Sequence, residues 1–166
     1  MSETGDSSSP VLQKIAEQDV TSTVAVAGHP LHAMTVHFPI AFVIATLGSD
    51  VFFWWSADPF WVRTGIWASG AAFIGGVAAG LIGTAELLLV PGIRARVASW
   101  THAVAAMMLI ALCGLNWGVR LADENLILPN GLLISMLAAV FTGFAGWHGG
   151  KLVFDHGVGL MISEKE

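Results

Sequence analysis

Four long apolar stretches, separated by short polar segments, set the pattern of this chain. Each stretch reaches the roughly 20 residues that a helix needs to cross a hydrocarbon core of about 30 Å. Backbone groups cannot stay unpaired in lipid, and the alternation that is typical of barrel strands is absent. The pattern therefore predicts an all-α integral membrane four-helix bundle, with spans at about residues 33–54, 64–90, 98–121 and 129–150.

Composition also places the chain in a membrane. Of its 166 residues, 55% are hydrophobic and only 11% are charged, whereas about a quarter of the residues of a soluble domain are charged. So few charges cannot cover a water-facing surface. The lipid bilayer is therefore the expected partner, and the cell inner (cytoplasmic) membrane is the expected location. The sequence contains no basic patch of the kind that binds nucleic acid, so nucleic acid is not an expected partner.

The polar segments predict the domain limits and the orientation. Residues 1–28 are a polar head, expected to be largely disordered and cytoplasmic; residues 29–160 are the four-span membrane domain; residues 161–166 are a short tail. Lys and Arg are more frequent on the side of both termini, which places both termini in the cytoplasm by the positive-inside rule. That side has Lys14, Arg94, Arg96, Lys151 and Lys165, and the loops of the other side have Arg63 and Arg120.

Five of the six histidines lie where the spans meet one side of the membrane. Three open the first span, one opens the third and one closes the fourth, so spans of alternating direction bring them to one leaflet. Ionisable side chains at membrane depth are costly and are functional-site candidates by default. We expect His37, beside the kink that Pro39 should cause, to point into the bundle. The five are His29, His32, His37, His102 and His148.

These imidazoles are candidate cofactor ligands. Neutral imidazole is a ligand of haem iron and a good one for zinc, copper or non-haem iron, and four-helix bundles commonly hold cofactors between facing helices. We predict that His37, together with His102 or His148, binds a haem b or another metal, with His32 and His29 as further candidates. In the alternative interpretation, the histidines only hydrogen-bond lipid headgroups.

Three other polar residues within the spans are candidates. Glu86 is expected on the histidine side, where it could hydrogen-bond a ligand imidazole, bind a metal or accept a proton in quinone chemistry. Asp50 and Asn116 are expected near the opposite side, as a structural polar pair between the first and third spans. Cys113, the only cysteine, is expected to pack within the bundle.

Spacing suggests that the chain contains two related hairpins. The separation along the chain between His37 and Asp50 in the first span is nearly the same as that between His102 and Asn116 in the third. Two hairpins of the same orientation would be related by an axis along the membrane normal.

The common catalytic motifs are absent from the sequence. It contains no glycine-rich phosphate loop, no haem-attachment motif, no zinc-protease helix and no nucleophile elbow. This weighs against autonomous hydrolysis or group transfer and leaves open whether the chain is an enzyme.

Two end motifs resemble those of a known family. Gly-His-Pro-Leu-His-Ala-Met-Thr-Val-His-Phe-Pro (28–39) and Gly-Gly-Lys-Leu-Val-Phe-Asp-His-Gly-Val-Gly (149–159) resemble the opening and closing signatures of the bacterial membrane family DUF2231, a domain of unknown function. Ala33 stands where the family usually has a second proline. The resemblance implies four membrane helices and a context of redox proteins, some joined to Rieske or cytochrome c modules. The residues that it singles out are His29, His32, His37 and, beside the cofactor, His156.

The first functional hypothesis is a membrane-embedded redox or electron-transfer subunit with a histidine-rich cytoplasmic-side site. It would bind haem b or interact with quinone, and its redox partner would be a separate protein. The second hypothesis is a cofactor-free scaffold or assembly subunit, as a homo-oligomer or in a larger membrane complex. A third is a small metal or solute transporter, in which the histidines would form a cation site.

Overall fold

The computed structural model describes residues 21–159, and four long helices dominate this part of the chain. The elements, in chain order, are β1 (Ala25–Val26), β2 (His29–Pro30), α1 (Leu31–Thr35), α2 (His37–Ser56), α3 (Pro59–Leu89), α4 (Pro91–Arg94), α5 (Val97–Ala122), a 3₁₀ helix (Glu124–Ile127) and α6 (Asn130–Phe154). Of the head predicted at residues 1–28, residues 1–20 lie outside the described residues, as does the tail at 161–166; Ala25–Val26 of the head form β1.

The predicted all-α membrane bundle is confirmed. Within the described residues, four helical segments are long and apolar enough to cross a membrane: Leu31–Ser56, Pro59–Leu89, Val97–Ala122 and Asn130–Phe154. Each is longer than the stretch predicted from hydropathy, although the second ends one residue before and the fourth begins one residue after the predicted limit. Local capping, rather than hydropathy, fixes the ends. Asp58, for example, accepts a hydrogen bond from the Phe60 amide and Pro59 occupies the first helical turn, a favoured combination at helix starts.

The first span is interrupted at Val36, between α1 and α2. Pro39 has no amide hydrogen to donate to the carbonyl of Thr35, and its ring disfavours regular helix in the preceding turn. The amide of Val36 still donates to the carbonyl of His32. The break is therefore local, and α1 and α2 together cross the bundle.

The helices pack as two antiparallel hairpins, α2 with α3 and α5 with α6, and the hairpins are joined by contacts of α3 with α5 and of α2 with α6. The centre of the bundle is a buried cluster with one residue from each long helix: Val43, Ala72, Cys113 and Ala138. Small side chains let membrane helices approach closely. Cys113 accordingly packs in the core, as expected from the sequence.

The residues around the interior cavity correspond between the two hairpins. One constant shift along the chain carries the first span onto the third, and a second, slightly smaller shift carries the second span onto the fourth. These two shifts relate every residue around a small interior cavity, as four pairs: Val43 and Cys113, Thr46 and Asn116, Ser69 and Ser135, and Ala72 and Ala138.

This register differs from the one predicted from spacing. His32, rather than His37, is equivalent to His102, and Arg120, rather than Asn116, is equivalent to Asp50. The prediction aligned His37, the deepest histidine of the first motif, with His102. In the structure, the equivalent residues are instead those that lie near the axis between the two hairpins.

Candidate functional site

His32 and His102 meet at one end of the bundle, which we call the histidine end. Their ring centroids lie 6.3 Å apart and their planes are nearly perpendicular, at 79°. Both side chains are half-buried. Because each comes from the first helix of its hairpin, this histidine pair lies close to the axis that relates the two halves.

A backbone hydrogen bond fixes each ring of the histidine pair. His32 Nδ1 lies 2.9 Å from the carbonyl oxygen of Ala79, and His102 Nδ1 lies 3.0 Å from that of Ala145. A carbonyl oxygen only accepts hydrogen bonds, so Nδ1 must carry the hydrogen in both contacts. In the neutral imidazole, Nε2 then has a free lone pair, which is the form that binds metals.

Two equivalent glycines make room for the rings. A Cβ atom on Gly83 would lie 2.6 Å from His32 Cε1, and one on Gly149 would lie 3.1 Å from His102 Cε1. Both glycines end the sequence Ala-Gly-x-x-Gly, which occurs at 79–83 and at 145–149. The first alanine supplies the carbonyl and the last glycine the space. This repeated motif is the sequence signal that identifies the inward-facing histidines.

The structure does not bring His37 or His29 to this site. His37 is exposed, with Nδ1 3.4 Å from the carbonyl oxygen of Met34, so the expectation that it points into the bundle is wrong. Helical residues turn by about 100° each, so His37, five positions after His32, faces about 140° away from it. His29 is also exposed and contacts the carbonyl oxygen of Ala27 at 2.8 Å.

His148 forms its contacts within its own helix. Its Nδ1 lies 3.0 Å from the carbonyl oxygen of Phe144. The His148 ring lies against the Phe144 ring, with 4.3 Å between centroids. His148 thus makes its ring and hydrogen-bond contacts within α6, although it lies near enough to His102 for an electrostatic interaction.

Glu86 and His156 have partners other than the histidine pair. Glu86 is buried and accepts a hydrogen bond from the hydroxyl of Ser22, which itself belongs to the segment predicted as the polar head. His156 Nδ1 lies 3.4 Å from Arg96 Nη1. The predicted hydrogen bond from a ligand imidazole to Glu86 is therefore replaced by a contact that holds the N-terminal segment to α3.

Asp50 and Arg120 form a buried ion pair at the opposite end of the bundle, which we call the arginine end. The guanidinium donates from Nη1 to Oδ1 at 2.8 Å and from Nη2 to Oδ2 at 2.7 Å. The two side chains are 1% and 0% exposed, respectively. The assignment of Arg120 to a loop is wrong, because the residue lies within α5 and its side chain points inward to Asp50.

Asn116 and Ser135 complete the network at the arginine end. Asn116 accepts from Arg120 Nε at 3.0 Å and donates to Ser135 Oγ at 2.8 Å. Ser135 donates to Asp50 Oδ2 at 2.6 Å. Asp50 and Asn116, predicted as a direct pair, are thus linked through Arg120 and Ser135. Each polar group has a partner, so this network needs no external ligand.

Chemically, the arrangement offers two imidazole ligands rather than a preformed cage. Among residues 21–159, no cluster of three His, Cys, Asp or Glu side chains could hold a metal ion. The interior cavity between the two ends measures about 10 Å³, which is space for roughly one water molecule.

Comparison with known proteins supports a family assignment without an activity. No curated protein and no solved structure matches the chain. Residues 28–161 match the family model described as "Predicted membrane protein (DUF2231)". This match and the four apolar helices make the chain a multi-pass membrane protein. The matched segment covers the whole described bundle, and the chain therefore belongs to the DUF2231 family of predicted membrane proteins.

Proposed function

We propose that this protein is a membrane electron-transfer subunit in which His32 and His102 bind one redox-active metal centre. The observation that carries the proposal is the histidine pair itself. Two equivalent imidazoles, each held through Nδ1 by a backbone carbonyl, lie with their centroids 6.3 Å apart.

The separation of the rings suits a shared metal ion. A metal lies about 2.0–2.1 Å from an imidazole nitrogen, so two rings on opposite sides of one ion have centroids about 6–6.5 Å apart. The carbonyls of Ala79 and Ala145 would fix the tautomer and orientation of the ligands. Such outer hydrogen bonds also raise the basicity of a ligating imidazole. The pair thus matches the requirements of a two-imidazole site in both distance and protonation.

Copper is the first candidate for this centre. Imidazole suits copper, and monovalent copper can be held by as few ligands as the pair supplies. A haem b would also use two imidazoles, but its porphyrin would have to pass between them. On α3, the space beside two such glycines is filled, at Gly83 by His32 and at Gly80 by Ile110. Haem b would therefore require the helices to move apart.

Electron transfer suits this bundle better than transport. A transported solute needs a path, whereas the cavity described at the centre of the bundle measures about 10 Å³. An electron crosses packed protein without a channel. When bound, the metal would supply one-electron chemistry, and the chain would hold it in place and keep bulk water away. The electron donor or acceptor would be a membrane quinone or a separate redox protein.

Metal analysis and optical spectra of the purified protein test the proposal. The wild-type protein, prepared from cells supplied with copper and haem, should retain about one copper ion per chain. His32→Gln and His102→Gln should bind it at least about tenfold more weakly, since losing even an outer hydrogen bond costs a metal site this much. Glutamine keeps an N–H donor for the carbonyl, so these variants separate ligation from folding.

His37→Gln is the matched control, because His37 is exposed and far round the helix from the pair. It should retain the metal. A Soret band that His32→Gln abolishes would instead assign haem b to the same ligands. Wild-type protein that binds neither copper nor haem would overturn the proposal and favour the cofactor-free scaffold.

A further inference from the structure

A groove opens on the lipid-facing surface between α5 and α6. Its volume is about 390 Å³, and its walls are almost entirely apolar. Trp100, Val104 and Met108 line it from α5, and Phe141 and Phe144 line it from α6. It runs along α5 from Val97 to Met108, which is about 16 Å of helix, a length comparable with that of a fatty acyl chain.

The equivalent place in the first hairpin is built differently. Gly75 is the equivalent of Phe141, and Pro39 packs against it, with its Cβ 3.6 Å from where a Cβ of Gly75 would lie. The kink at Pro39 thus brings the first span onto α3. The third span has Leu109 at the equivalent position and remains a regular helix. The groove is therefore a feature in which the second hairpin departs from the first.

The groove ends among basic residues at the histidine end. The indole nitrogen of Trp100, on the groove wall, donates to the carbonyl oxygen of Arg94 at 2.9 Å. Arg94 is exposed, and its guanidinium donates from Nη1 to the carbonyl oxygen of Leu88 at 3.3 Å, which leaves its charge and its other N–H groups available. Lys151 lies two turns after Phe144 on α6. Its only described partner is Asp155, at 4.0 Å, with both side chains more than half exposed. An apolar slot with two exposed cations at its membrane-interface end matches a lipid with a negatively charged headgroup.

We propose that the groove binds one acyl chain of an anionic phospholipid, whose phosphate contacts Arg94 and Lys151. The apolar walls select a hydrocarbon chain, and the cations select its headgroup. Each basic residue near an anionic lipid surface contributes a favourable interaction. This site is independent of the histidine pair. The predicted orientation places it in the cytoplasmic leaflet, where acidic lipids are abundant.

Native mass spectrometry tests this site. The full chain is reconstituted in mixed vesicles of phosphatidylglycerol and phosphatidylcholine, extracted in mild detergent and weighed with its retained lipid. We expect wild-type protein to retain phosphatidylglycerol in preference to phosphatidylcholine. Arg94→Gln combined with Lys151→Gln should reduce that preference by about tenfold. Retention of a neutral isoprenoid quinone from the expression host, in place of the phospholipid, would overturn the proposal.

A second variant tests the groove itself. Val104→Trp places an indole in the slot from a position that is already 53% exposed, so it should fold and yet lose the retained lipid. Val51→Trp is the matched control, since Val51 is 45% exposed on another face. It should retain the lipid as the wild-type protein does. Equal lipid retention by the two variants would contradict binding in the groove.

Discussion

The two ends of the bundle use equivalent positions in opposite ways. At the histidine end, the equivalent residues of the first and third spans are identical, His32 and His102; at the arginine end, they carry opposite charges, Asp50 and Arg120. Both pairs lie near the axis between the hairpins, and glycines of α3 and α6 make room for both. The same architecture thus presents two identical ligands at one end and a closed ion pair at the other.

The difference separates a functional pair from a structural one. Asp50 and Arg120 satisfy each other, and Asn116 and Ser135 take up further hydrogen-bonding groups. The two imidazoles are bonded only through Nδ1 to backbone carbonyls in the contacts described, which leaves the Nε2 lone pairs of two neighbouring rings available. A metal cation that binds both imidazoles would be stabilised by the two lone pairs, and this is the physical basis of the proposed metal site.

The largest expected effect is at the arginine end. Arg120→Met leaves the buried carboxylate of Asp50 without its counter-ion, which costs about 3–5 kcal/mol for buried pairs. We expect the free energy of unfolding to fall by that amount, measured by SDS titration in mixed micelles. Arg63→Met, at an exposed position, is the control and should change it little. A loss as small as that of the control would mean that the ion pair does not hold the hairpins together.

The second prediction concerns the space at the histidine end. Gly83→Ala places a Cβ 2.6 Å from His32 Cε1, so the ring must move. We expect a loss of about 1–3 kcal/mol from overpacking and a loss of bound metal. Gly146→Ala is the matched control, because nothing lies within 4 Å of its Cβ. Normal metal binding by Gly83→Ala would contradict the close fit of His32 against α3.

Reversing the ion pair tests whether the two halves of the bundle offer it equivalent surroundings. Asp50→Arg combined with Arg120→Asp restores opposite charges across the axis, so the double variant should be far more stable than Arg120→Met. A deficit of about 1–2 kcal/mol should remain from lost hydrogen bonds, because Thr46 stands where Asn116 would be needed. The same SDS titration measures it. A double variant as unstable as Arg120→Met would argue against equivalent surroundings.

The smallest stability effect should be at the histidine pair. His32→Gln keeps an N–H donor for the carbonyl of Ala79, so we expect a change in unfolding free energy of about 1 kcal/mol or less. Metal binding should nevertheless be lost. Thermal unfolding and metal content, measured on one preparation, check both parts. A large loss of stability would indicate that His32 is mainly structural.

Hydropathy and span direction are enough to predict the four helices and the gathering of histidines at one side. They cannot show which histidines face inward, because a span that is apolar on all faces has no polar side to orient it. They also place Arg120 in a loop, because an arginine near the end of a span usually meets water and its partner Asp50 lies in the other hairpin, far away in sequence. The correct correspondence between the two hairpins is indicated by two repeated sequences. These are Ala-Gly-x-x-Gly at 79–83 and 145–149, and Gly-x-x-x-Ser at 65–69 and 131–135.

X-ray absorption spectroscopy at the metal edge tests the central claim most directly, because it shows which atoms surround the metal. In purified wild-type protein, we predict scattering from two imidazole nitrogens at about 2.0–2.1 Å, together with the outer atoms of both rings. His102→Gln should remove one ring or the metal itself, and His37→Gln should leave the spectrum unchanged. A metal without imidazole ligands, or a spectrum that His102→Gln leaves unaltered, would contradict the claim that the histidine pair binds one metal centre.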